Sequence, residues 1–365
     1  MFLSPGRCNV VIDGQWGSTG KGKLCAWLAL NSDLQIAICD FQSNAGHTIV
    51  YHGEKHVVHQ VPASFVNLDC TLAIGPAASI TVDLLLDEIE RLNSFKVADR
   101  LIIHPNACII LPEHVQREQG SVKRYASTMK GCGAALADKV MRKAVLAKDV
   151  PSMQPYLGDT TNLVHNFMRS RCTVLAESAQ GFDLSLNFGH EYPYTTSRDV
   201  TTSSILSNMG VPPRMVGNVW GCLRTYPIRV GHVVEGGELV GDSGGYYPDQ
   251  RELSWPDLEK SSGAQTPLQE LTTVTKRVRR IFSWSDYQFE KFLRVCDPSH
   301  LFLNFVNHID ARAYQMRTKS QLPPKVLNEV ERIRHTMNAE TPATLSIPCV
   351  SLLGTGPDNE DMVIL

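Results

Sequence analysis

The architecture of this chain is set by Val10-Val-Ile-Asp-Gly-Gln-Trp-Gly-Ser-Thr-Gly-Lys-Gly-Lys23. A short apolar strand runs into a glycine-rich turn with two lysines, and the apolar run that follows can open a helix. This order directs backbone N–H groups, a helix N-terminus and ammonium groups toward one point, where a phosphate is the natural occupant. The match to the ordinary P-loop pattern is imperfect, because Gly22 follows Lys21 where Ser or Thr is expected. A plain strand–helix turn is the alternative interpretation.

Strand-like and helix-like runs alternate along much of the chain. Short apolar strands are expected at residues 8–12, 35–39, 71–74, 101–104 and 172–176. Helices are expected at residues 24–30 and 80–92. This alternation predicts an α/β fold, P-loop NTPase-like, with a central and mostly parallel sheet covered by helices on both faces. Ligands of such sheets gather at the carboxyl ends of the strands, where the glycine-rich segments of this chain fall.

The composition limits the size and class of the protein. With 365 residues, 43% of them apolar, the chain can bury a sizeable core. Length alone would suggest roughly two or three domains, but no clear linker divides the sequence. We therefore expect a single domain over residues 1–365. A long surface excursion is expected at 241–269, which is rich in Gly, Ser, Pro and charged residues.

Charge and cysteine usage exclude several classes of protein. The net charge of −2 argues against a field over the whole surface that would attract nucleic acid or membrane. Ten cysteines are spread singly without metal-ligand spacing, which favours reduced thiols in a cytoplasmic protein. No apolar run approaches the roughly 20 residues needed to span a bilayer. We expect neither a nucleic-acid nor a membrane partner.

Several motifs, in order along the chain, resemble those of the adenylosuccinate synthetase family. They are residues 14–23, Asn44-Ala-Gly-His-Thr48, Ser127-Thr128, Asp138-Lys-Val-Met-Arg142, Glu177-Ser-Ala-Gln-Gly181, Tyr192-Pro-Tyr-Thr-Thr196, Thr273-Val-Thr-Lys-Arg-Val-Arg279 and Gly354-Thr-Gly-Pro-Asp358. That family phosphorylates the 6-oxygen of a purine monophosphate with a nucleoside triphosphate and Mg²⁺, and aspartate then displaces the phosphate. The resemblance implies the same fold and the same type of ligase reaction for this chain.

The resemblance also implies catalytic and phosphate-donor sites. Lys21 would contact the transferred phosphate, and His47 would donate to the charge that develops on the 6-oxygen. Taken alone, Lys21 could be a solvated lysine and His47 a structural loop histidine. Mg²⁺ would be held by Ser18 and the Gly46 carbonyl, since this cation prefers oxygen. The donor would be bound by Gly20, Lys21, Gly22, Lys23, Gly46, His47, Thr48, Arg279, Asn307, Gly354, Thr355 and Gly356.

A purine nucleotide site follows from the same resemblance. Its residues would be Ser18, Asn44, Ser127, Thr128, Arg142, Gln180 and Thr196. Arg142 resembles the arginine that reaches across a twofold interface to the nucleotide of the other subunit, which implies a homodimer with each site completed in trans. Taken alone, Gln180 and Arg142 are unremarkable polar residues.

A basic segment near residue 277 resembles the aspartate-binding loop of the family. Lys276, Arg277, Arg279 and Arg280 place four cations in five positions, a pattern that is usually a solvated face or sometimes a nucleic-acid patch. Arginine forks also suit bidentate binding of carboxylates. By resemblance, L-aspartate would be bound by Thr273, Val274, Thr275, Arg277 and Arg279.

Two departures from the family pattern bear on the substrates. Ser18 stands where the family places an aspartate that takes the N1 proton of the purine, and a serine hydroxyl is a poor base. Either the chain is inactive, or Ser18 makes room for a purine with a 2-amino group, such as guanine. The proton acceptor is then unassigned, because Asp13 at the strand end is as easily structural as catalytic.

The second departure concerns the phosphate donor. Phe305 and Asn307 stand where the family has the lysine and aspartate that read the guanine of GTP. Asn307 both donates and accepts, which suits the N6/N1 edge of adenine, and Phe305 can lie against a purine face. These residues favour ATP or dATP as donor; slippage of the alignment in a buried strand is the alternative.

Both departures resemble the bacteriophage branch of the family, which condenses dGMP with aspartate to make a precursor of diaminopurine DNA. We therefore predict a ligase acting on dGMP, L-aspartate and ATP or dATP with Mg²⁺, located in the host cytoplasm if it is phage-encoded. An ordinary adenylosuccinate synthetase using IMP and GTP, or an inactive nucleotide-binding protein, is the alternative. The sequence leaves GMP open beside dGMP.

Overall fold

The computed structural model describes residues 1–272, 276–340 and 348–365, with the backbone alone at 338–340. Within these residues, nine strands form one sheet. They are β1 (Cys8–Asp13), β2 (Ile36–Cys39), β3 (Thr71–Ile74), β4 (Leu101–Ile103), β5 (Val174–Glu177), β6 (Val216–Arg224), β7 (His300–Asn304), β8 (Cys349–Gly354) and β9 (Met362–Ile364). Their spatial order is β9-β8-β7-β6-β1-β5-β2-β3-β4.

Strand β1 lies near the middle of this sheet and is buried over its whole length. It pairs in parallel with β5 on one side, where Val10 faces Ala176, and with β6 on the other, where Val11 faces Trp220. All pairings among β1 to β8 are parallel, and only the edge strand β9 runs antiparallel to its neighbour. The loop that follows β1 therefore emerges at the carboxyl edge of the sheet.

Helices cover both faces of the sheet, as predicted. They are α1 (Lys21–Asn31), α2 (Val82–Arg91), α3 (Val97–Arg100), α4 (Pro112–Ser121), α5 (Cys132–Val140), α6 (Thr160–Arg169), α7 (Thr202–Asn208), α8 (Trp255–Ser262), α9 (Asp286–Cys296) and α10 (Pro324–Glu340). Successive side chains of β1 point to opposite faces. Val11 packs with Leu24 and Leu28 of α1 on one face, whereas Val10 and Ile12 belong to the core on the other.

Shorter strands lie outside the central sheet. They pair as His47–Tyr51 with Glu54–Val58, Ser79–Ile80 with Cys108–Ile109, Val233–Glu235 with Glu238–Gly241, and Arg280–Phe282 between Ile228–Arg229 and Glu252–Leu253. The hairpin that begins at His47 brings this residue beside α1. None of the helices in the described ranges is both long and apolar enough to cross a membrane.

The segment 241–269 is more ordered than its composition suggests. It contains a strand at Glu252–Leu253 and helix α8, whose first turn is capped by Ser254 accepting from the Asp257 N–H at 3.1 Å. Trp255 and Leu258 are buried in a small core of their own. The prediction of a surface excursion missed this helix, because isolated apolar residues among Gly, Ser and Pro give no clear period.

Candidate functional site

Asp13 organises the loop between β1 and α1. Its Oδ1 atom accepts the N–H groups of Gln15 at 2.9 Å and Gly17 at 3.2 Å. Its Oδ2 atom accepts the Thr19 hydroxyl at 2.6 Å and the Lys21 ammonium group at 3.2 Å. Asp13 is fully buried, so these four partners replace the water that the carboxylate loses. The loop is thus wound around one carboxylate.

Glycine is required where this loop enters α1. Gly20 has a φ of 96°, and a Cβ atom there would lie 2.1 Å from Nδ2 of Asn304. That Nδ2 atom donates to the Thr19 carbonyl at 3.1 Å. A Cβ atom at Gly354 would lie 2.0 Å from Oδ1 of the same asparagine. The first helix turn, the end of β7 and the end of β8 therefore meet at Asn304.

Lys21 connects the phosphate loop with the segment after β5. Its ammonium group, almost completely buried, donates to the Gln180 carbonyl at 2.8 Å as well as to Asp13. Gln180 has a φ of 67°, and its Nε2 atom donates to Oδ1 of Asn44 at 2.9 Å. The structure thus brings together three residues that are 23 and 136 positions apart in the sequence: Lys21, Asn44 and Gln180.

Five of the seven residues predicted to bind the purine nucleotide line one cavity of about 280 Å³; they are Asn44, Ser127, Thr128, Gln180 and Thr196. The Oγ1 atom of Thr196 and the indole Nε1 atom of Trp16, another lining residue, are buried and have no hydrogen-bond partner among the described residues. Buried polar atoms are normally paired. These two therefore favour a polar ligand in the cavity.

The other two predicted residues lie outside this wall. Ser18 is exposed in a left-handed conformation with φ of 57°, two residues after Trp16. Gly181 would place a Cβ atom 2.5 Å from the Gly17 nitrogen, so the loop leading to Ser18 presses against the cavity wall. Arg142 is exposed beyond the end of α5.

Sequence reasoning missed two charged residues of the cavity. Arg229 is buried, its guanidinium lies 4.9 Å from the Trp16 ring centre, and burial lowers its pKa to about 10. Glu118 accepts the N–H groups of Gly131 and Gly133, each at 2.7 Å, at the start of α5. The sequence offered one sign of Arg229, since it is a single charged residue within an apolar segment. It offered no sign of Glu118, because glutamates on helices are usually solvated.

His47 is buried beside the phosphate loop. Its ring packs against Phe41 with 4.2 Å between ring centres, and a Cβ atom at Gly22 would lie 3.0 Å from its own Cβ. Burial, with the charges of Lys21 and His59, lowers the pKa of His47 to about 3. Its Nδ1 atom has no hydrogen-bond partner in the described part of the chain. The imidazole is therefore neutral and retains bonding capacity.

Among the described residues, the oxygen atoms predicted to bind Mg²⁺ are a serine hydroxyl and a backbone carbonyl rather than carboxylates. The described residues contain no group of three or more His, Cys, Asp or Glu side chains that could hold a metal. The Asp13 carboxylate is occupied by its own loop, whereas the Ser18 hydroxyl is exposed and Gly46 is half-buried. These two residues fit Mg²⁺ as a partial set, since this ion usually keeps several waters and takes phosphate oxygens as ligands.

Several residues predicted to bind the phosphate donor hold the loop after β8 in place. Lys23 is buried and donates to the carbonyls of Gly356 at 2.7 Å and Asp361 at 2.8 Å, and burial lowers its pKa to about 7. Thr355 donates its hydroxyl to Met316 at 2.7 Å. Lys23 thus fixes the loop after β8 onto α1. Thr48 is exposed on its hairpin.

The turn after β7 carries the two residues that depart from the GTP-reading pattern. Phe305 has a φ of 62°, and the Arg224 guanidinium lies 4.1 Å from its ring centre. The His308 ring also lies near it, with 5.2 Å between the two ring centres. Asn307 is half-buried in the following turn, Val306–His308.

The predicted aspartate-binding loop is described in part. Thr273, Val274 and Thr275 lie outside the described residues. Arg277 donates to the carbonyls of Gly231 at 3.2 Å and Ser127 at 3.4 Å, at the wall of the cavity. Arg279 donates its backbone N–H to the Glu270 carbonyl at 2.9 Å. Both arginines follow residues 273–275 in the sequence.

Comparison with known proteins identifies the family of the chain. The family model of adenylosuccinate synthetase matches residues 10–154 and 147–313. The chain belongs to the adenylosuccinate synthetase family. Its enzymes are ligases that form succinyl-purine nucleotides, and the chain is a nucleotide-binding ligase of this kind. The predicted family, fold and enzyme class are therefore confirmed.

Relatives come from two groups. An adenylosuccinate synthetase of Thermococcus onnurineus is 34% identical over 359 residues, 97% of each chain. The N6-succino-2-amino-2'-deoxyadenylate synthase of Vibrio phage phiVC8 is 37% identical over 320 residues, 84% of this chain and 88% of the other. The corresponding synthase of Salmonella phage PMBT28 is 32% identical and covers 98% and 97%. Overall identity does not separate the two groups.

The solved structures that resemble this one include a phage enzyme and a Plasmodium enzyme. The succinoaminodeoxyadenylate synthetase of cyanophage S-2L, bound to dGMP and dATP, has a TM-score of 0.79 and 32% identity over 98% of this chain and 95% of its own. An adenylosuccinate synthetase of Plasmodium falciparum has a TM-score of 0.82 at 18% identity, over 98% and 99%, and supports the fold alone.

Proposed function

We propose that this enzyme condenses dGMP with L-aspartate, driven by hydrolysis of ATP or dATP, to give N6-succino-2-amino-2'-deoxyadenylate. The observation that carries the proposal is the small, exposed Ser18 hydroxyl at the end of the loop that presses against the cavity wall. A carboxylate at this point would crowd the 2-amino group of guanine. The similarity to phage synthases, one of them bound to dGMP and dATP, supports the same choice.

In the first step, the 6-oxygen of dGMP attacks the γ-phosphorus of the donor, and ADP or dADP leaves. Lys21 offsets the negative charge of the moving phosphoryl group from the mouth of α1. His47 donates a hydrogen bond as a neutral imidazole, since burial holds its pKa far below neutrality. When bound, Mg²⁺ supplies further charge neutralisation to the phosphates, with the Ser18 hydroxyl and the Gly46 carbonyl among its ligands.

In the second step, the aspartate amine attacks C6 and phosphate leaves. Arg277 and Arg279 bind the aspartate carboxylates, together with residues 273–275. Arg277 already contacts the Ser127 carbonyl, which brings the aspartate site to the edge of the nucleotide cavity. Asp13 is not the acceptor of the N1 proton in this proposal, because its four acceptor positions hold the loop.

Different residues of the cavity bind the 5'-phosphate and the base of dGMP. Ser127, Thr128 and Thr196 bind the 5'-phosphate, and the unpartnered Thr196 hydroxyl supports this role. Asn44 and Gln180 bind beside the base. On the donor side, Asn307 favours adenine over guanine, with Gly20, Gly22, Lys23, Gly46, Thr48, Gly354, Thr355 and Gly356 shaping the surroundings.

We further propose a homodimer in which Arg142 completes the site of the other subunit. Support comes from Val140 and Met141, which are 78% and 63% exposed directly before Arg142. Large exposed apolar side chains next to a cation are typical of an interface that lacks its partner. The proposed location is the cytoplasm, that of the host if the protein is phage-encoded, and we propose neither a nucleic-acid nor a membrane partner.

A substrate matrix tests the proposed function. The purified protein is assayed for aspartate-dependent phosphate release with dGMP, GMP or IMP, each combined with ATP, dATP or GTP. We expect the highest kcat/KM with dGMP and an adenine donor. Faster turnover of IMP with GTP would make it an ordinary adenylosuccinate synthetase. No aspartate-dependent release with any pair would make it an inactive nucleotide-binding protein.

A further inference from the structure

Arg224 is completely buried although it carries a full charge at the end of β6. Its backbone is fixed to the phosphate loop: the Arg224 N–H donates to Oε1 of Gln15 at 3.0 Å, and Nε2 of Gln15 donates to the Arg224 carbonyl at 3.1 Å. A buried cation is costly unless it is paired and hydrogen-bonded. The partners of its guanidinium therefore decide why an arginine is placed here.

The first partner is the backbone of Ser18. Nη1 of Arg224 donates to the Ser18 carbonyl at 3.2 Å. Ser18 has a φ of 57°, a left-handed conformation that is unfavourable for a residue other than glycine. Such a conformation persists where its surroundings hold it. The contact with Arg224 fixes the backbone of Ser18, whereas the Ser18 side chain stays exposed.

The second partner is Glu270, just before the aspartate loop. Nη2 of Arg224 donates to Oε1 of Glu270 at 2.5 Å, and Nη1 lies 3.3 Å from Oε2. Burial raises the pKa of Glu270, but the charge and hydrogen bonds of Arg224, together with His308 and Arg279, outweigh burial and hold this pKa below its ordinary value. Glu270 in turn lies 3.9 Å from Nε of Arg279 and accepts the Arg279 backbone N–H. Arg224 thus fixes the base of the aspartate loop.

The third partner is Phe305 on the donor side. The guanidinium lies 4.1 Å from the ring centre and covers one face of the ring. Phe305 is itself fixed by a bond from Thr225, the residue after Arg224, whose hydroxyl donates to the Phe305 carbonyl at 2.9 Å. One side chain therefore contacts elements that serve the acceptor purine, the amino acid and the donor.

We propose that Arg224 is a positioning residue that fixes Ser18, the Glu270–Arg279 contact and the donor-base turn relative to one another. It contacts no substrate and acts through Ser18, Glu270 and Phe305. This inference rests on the proposed function for the identity of the three ligands. Only arginine suits the position, because its planar fork serves a carboxylate, a carbonyl and an aromatic face together, whereas a lysine ammonium group serves one or two of them.

The test compares Arg224→Lys with the wild-type enzyme and with Arg91→Lys, whose exposed pair with Asp87 on α2 lies outside the site. Steady-state kinetics give the KM for aspartate and for dGMP, and calorimetry gives the Kd of a non-hydrolysable ATP analogue. We expect Arg224→Lys to raise the KM for aspartate about tenfold, to raise the KM for dGMP as well and to weaken binding of the ATP analogue, because the contacts with Glu270, Ser18 and Phe305 are all disturbed. Arg91→Lys should match the wild type.

Unchanged aspartate KM and ATP affinity in Arg224→Lys would overturn the proposal, and so would a lower kcat with every KM and Kd unchanged. If Arg224→Lys does not fold, Glu270→Gln decides, because it keeps the shape and removes the charge that Arg224 binds: a raised aspartate KM supports the proposal and an unchanged one refutes it. Turnover of dGMP by the wild type is measured separately. Its failure would refute the proposed function, whereas the ATP affinities would still test Arg224.

Discussion

Among single residues, Ser18 matters most for the proposed preference for dGMP over IMP. Ser18→Asp restores the carboxylate of the family pattern and adds bulk and charge at the exposed end of the phosphate loop. We expect the ratio of kcat/KM for dGMP to that for IMP to fall by about tenfold or more, since crowding a bound group costs roughly 1–3 kcal/mol. Ser18→Ala, which stays small, should retain the preference for dGMP. An unaltered ratio in Ser18→Asp would refute the steric argument.

The protonation of His47 can be measured directly. Burial and the charges of Lys21 and His59 lower its pKa to about 3, against about 6.5 in an unfolded chain. The ring should therefore show no titration between pH 5 and pH 8 in imidazole ¹⁵N spectra. A midpoint near 6.5 for this resonance would contradict the burial argument.

The same pKa shift makes stability depend on pH. Between pH 3 and 6.5 the unfolded chain binds a proton at His47 that the folded chain does not, so the free energy of unfolding rises with pH through this window. His47→Gln should reduce the rise of the unfolding free energy with pH, measured by urea unfolding. His52→Gln serves as the comparison, because His52 is exposed. Identical slopes in His47→Gln and wild type would rule out the linkage.

At the scale of elements, the phosphate loop depends on the Asp13–Lys21 pair. Asp13→Asn keeps an oxygen for the loop N–H groups but leaves the buried Lys21 ammonium group without its counter-charge. Breaking a buried pair in this way costs about 3–5 kcal/mol. Asp87→Asn, which breaks the exposed pair with Arg91, should cost less than about 1 kcal/mol. Equal losses in urea unfolding would contradict the burial argument for the loop.

Helix α8 offers an independent test of the segment 241–269. Ser254 accepts the Asp257 N–H at the first turn. Ser254→Ala should lower the free energy of unfolding by about 1 kcal/mol, and Ser254→Thr, which can also cap, by less. Equal stability of the alanine variant and wild type would show that this cap contributes nothing to the helix.

At the scale of the whole molecule, the proposed dimer predicts complementation. In the proposed dimer, Lys21→Ala should inactivate the site of its own subunit, and Arg142→Ala should inactivate the site of the partner. After equal amounts are mixed and subunits exchange, half of the dimers carry one intact site of two, so about a quarter of wild-type activity should return. No recovery, with subunit exchange verified by native mass spectrometry, would refute the action of Arg142 in trans.

The sequence predicted the elements better than the contacts. The strands and the first helix were predictable, because buried parallel strands form short apolar runs and the turn after β1 is rich in glycine. The contact of Asn44 with Gln180, 136 positions apart, is a property of the folded chain, and resemblance supplied both residues. Arg229 and Glu118 were missed because a single buried charge has no local pattern. The role proposed for Arg224 could not be predicted, because Ser18, Glu270 and Phe305 come together around it only in the folded chain.

We propose that the site accepts the 2-amino group of the purine because Ser18 is small. The most direct measurement compares dGMP with 2'-deoxyinosine monophosphate, two substrates that differ only in that group, with ATP and L-aspartate in excess. We predict a higher kcat/KM for dGMP in the wild-type enzyme and a reversed order in Ser18→Asp. A wild-type enzyme that turns over 2'-deoxyinosine monophosphate as fast as dGMP, or faster, would contradict this prediction.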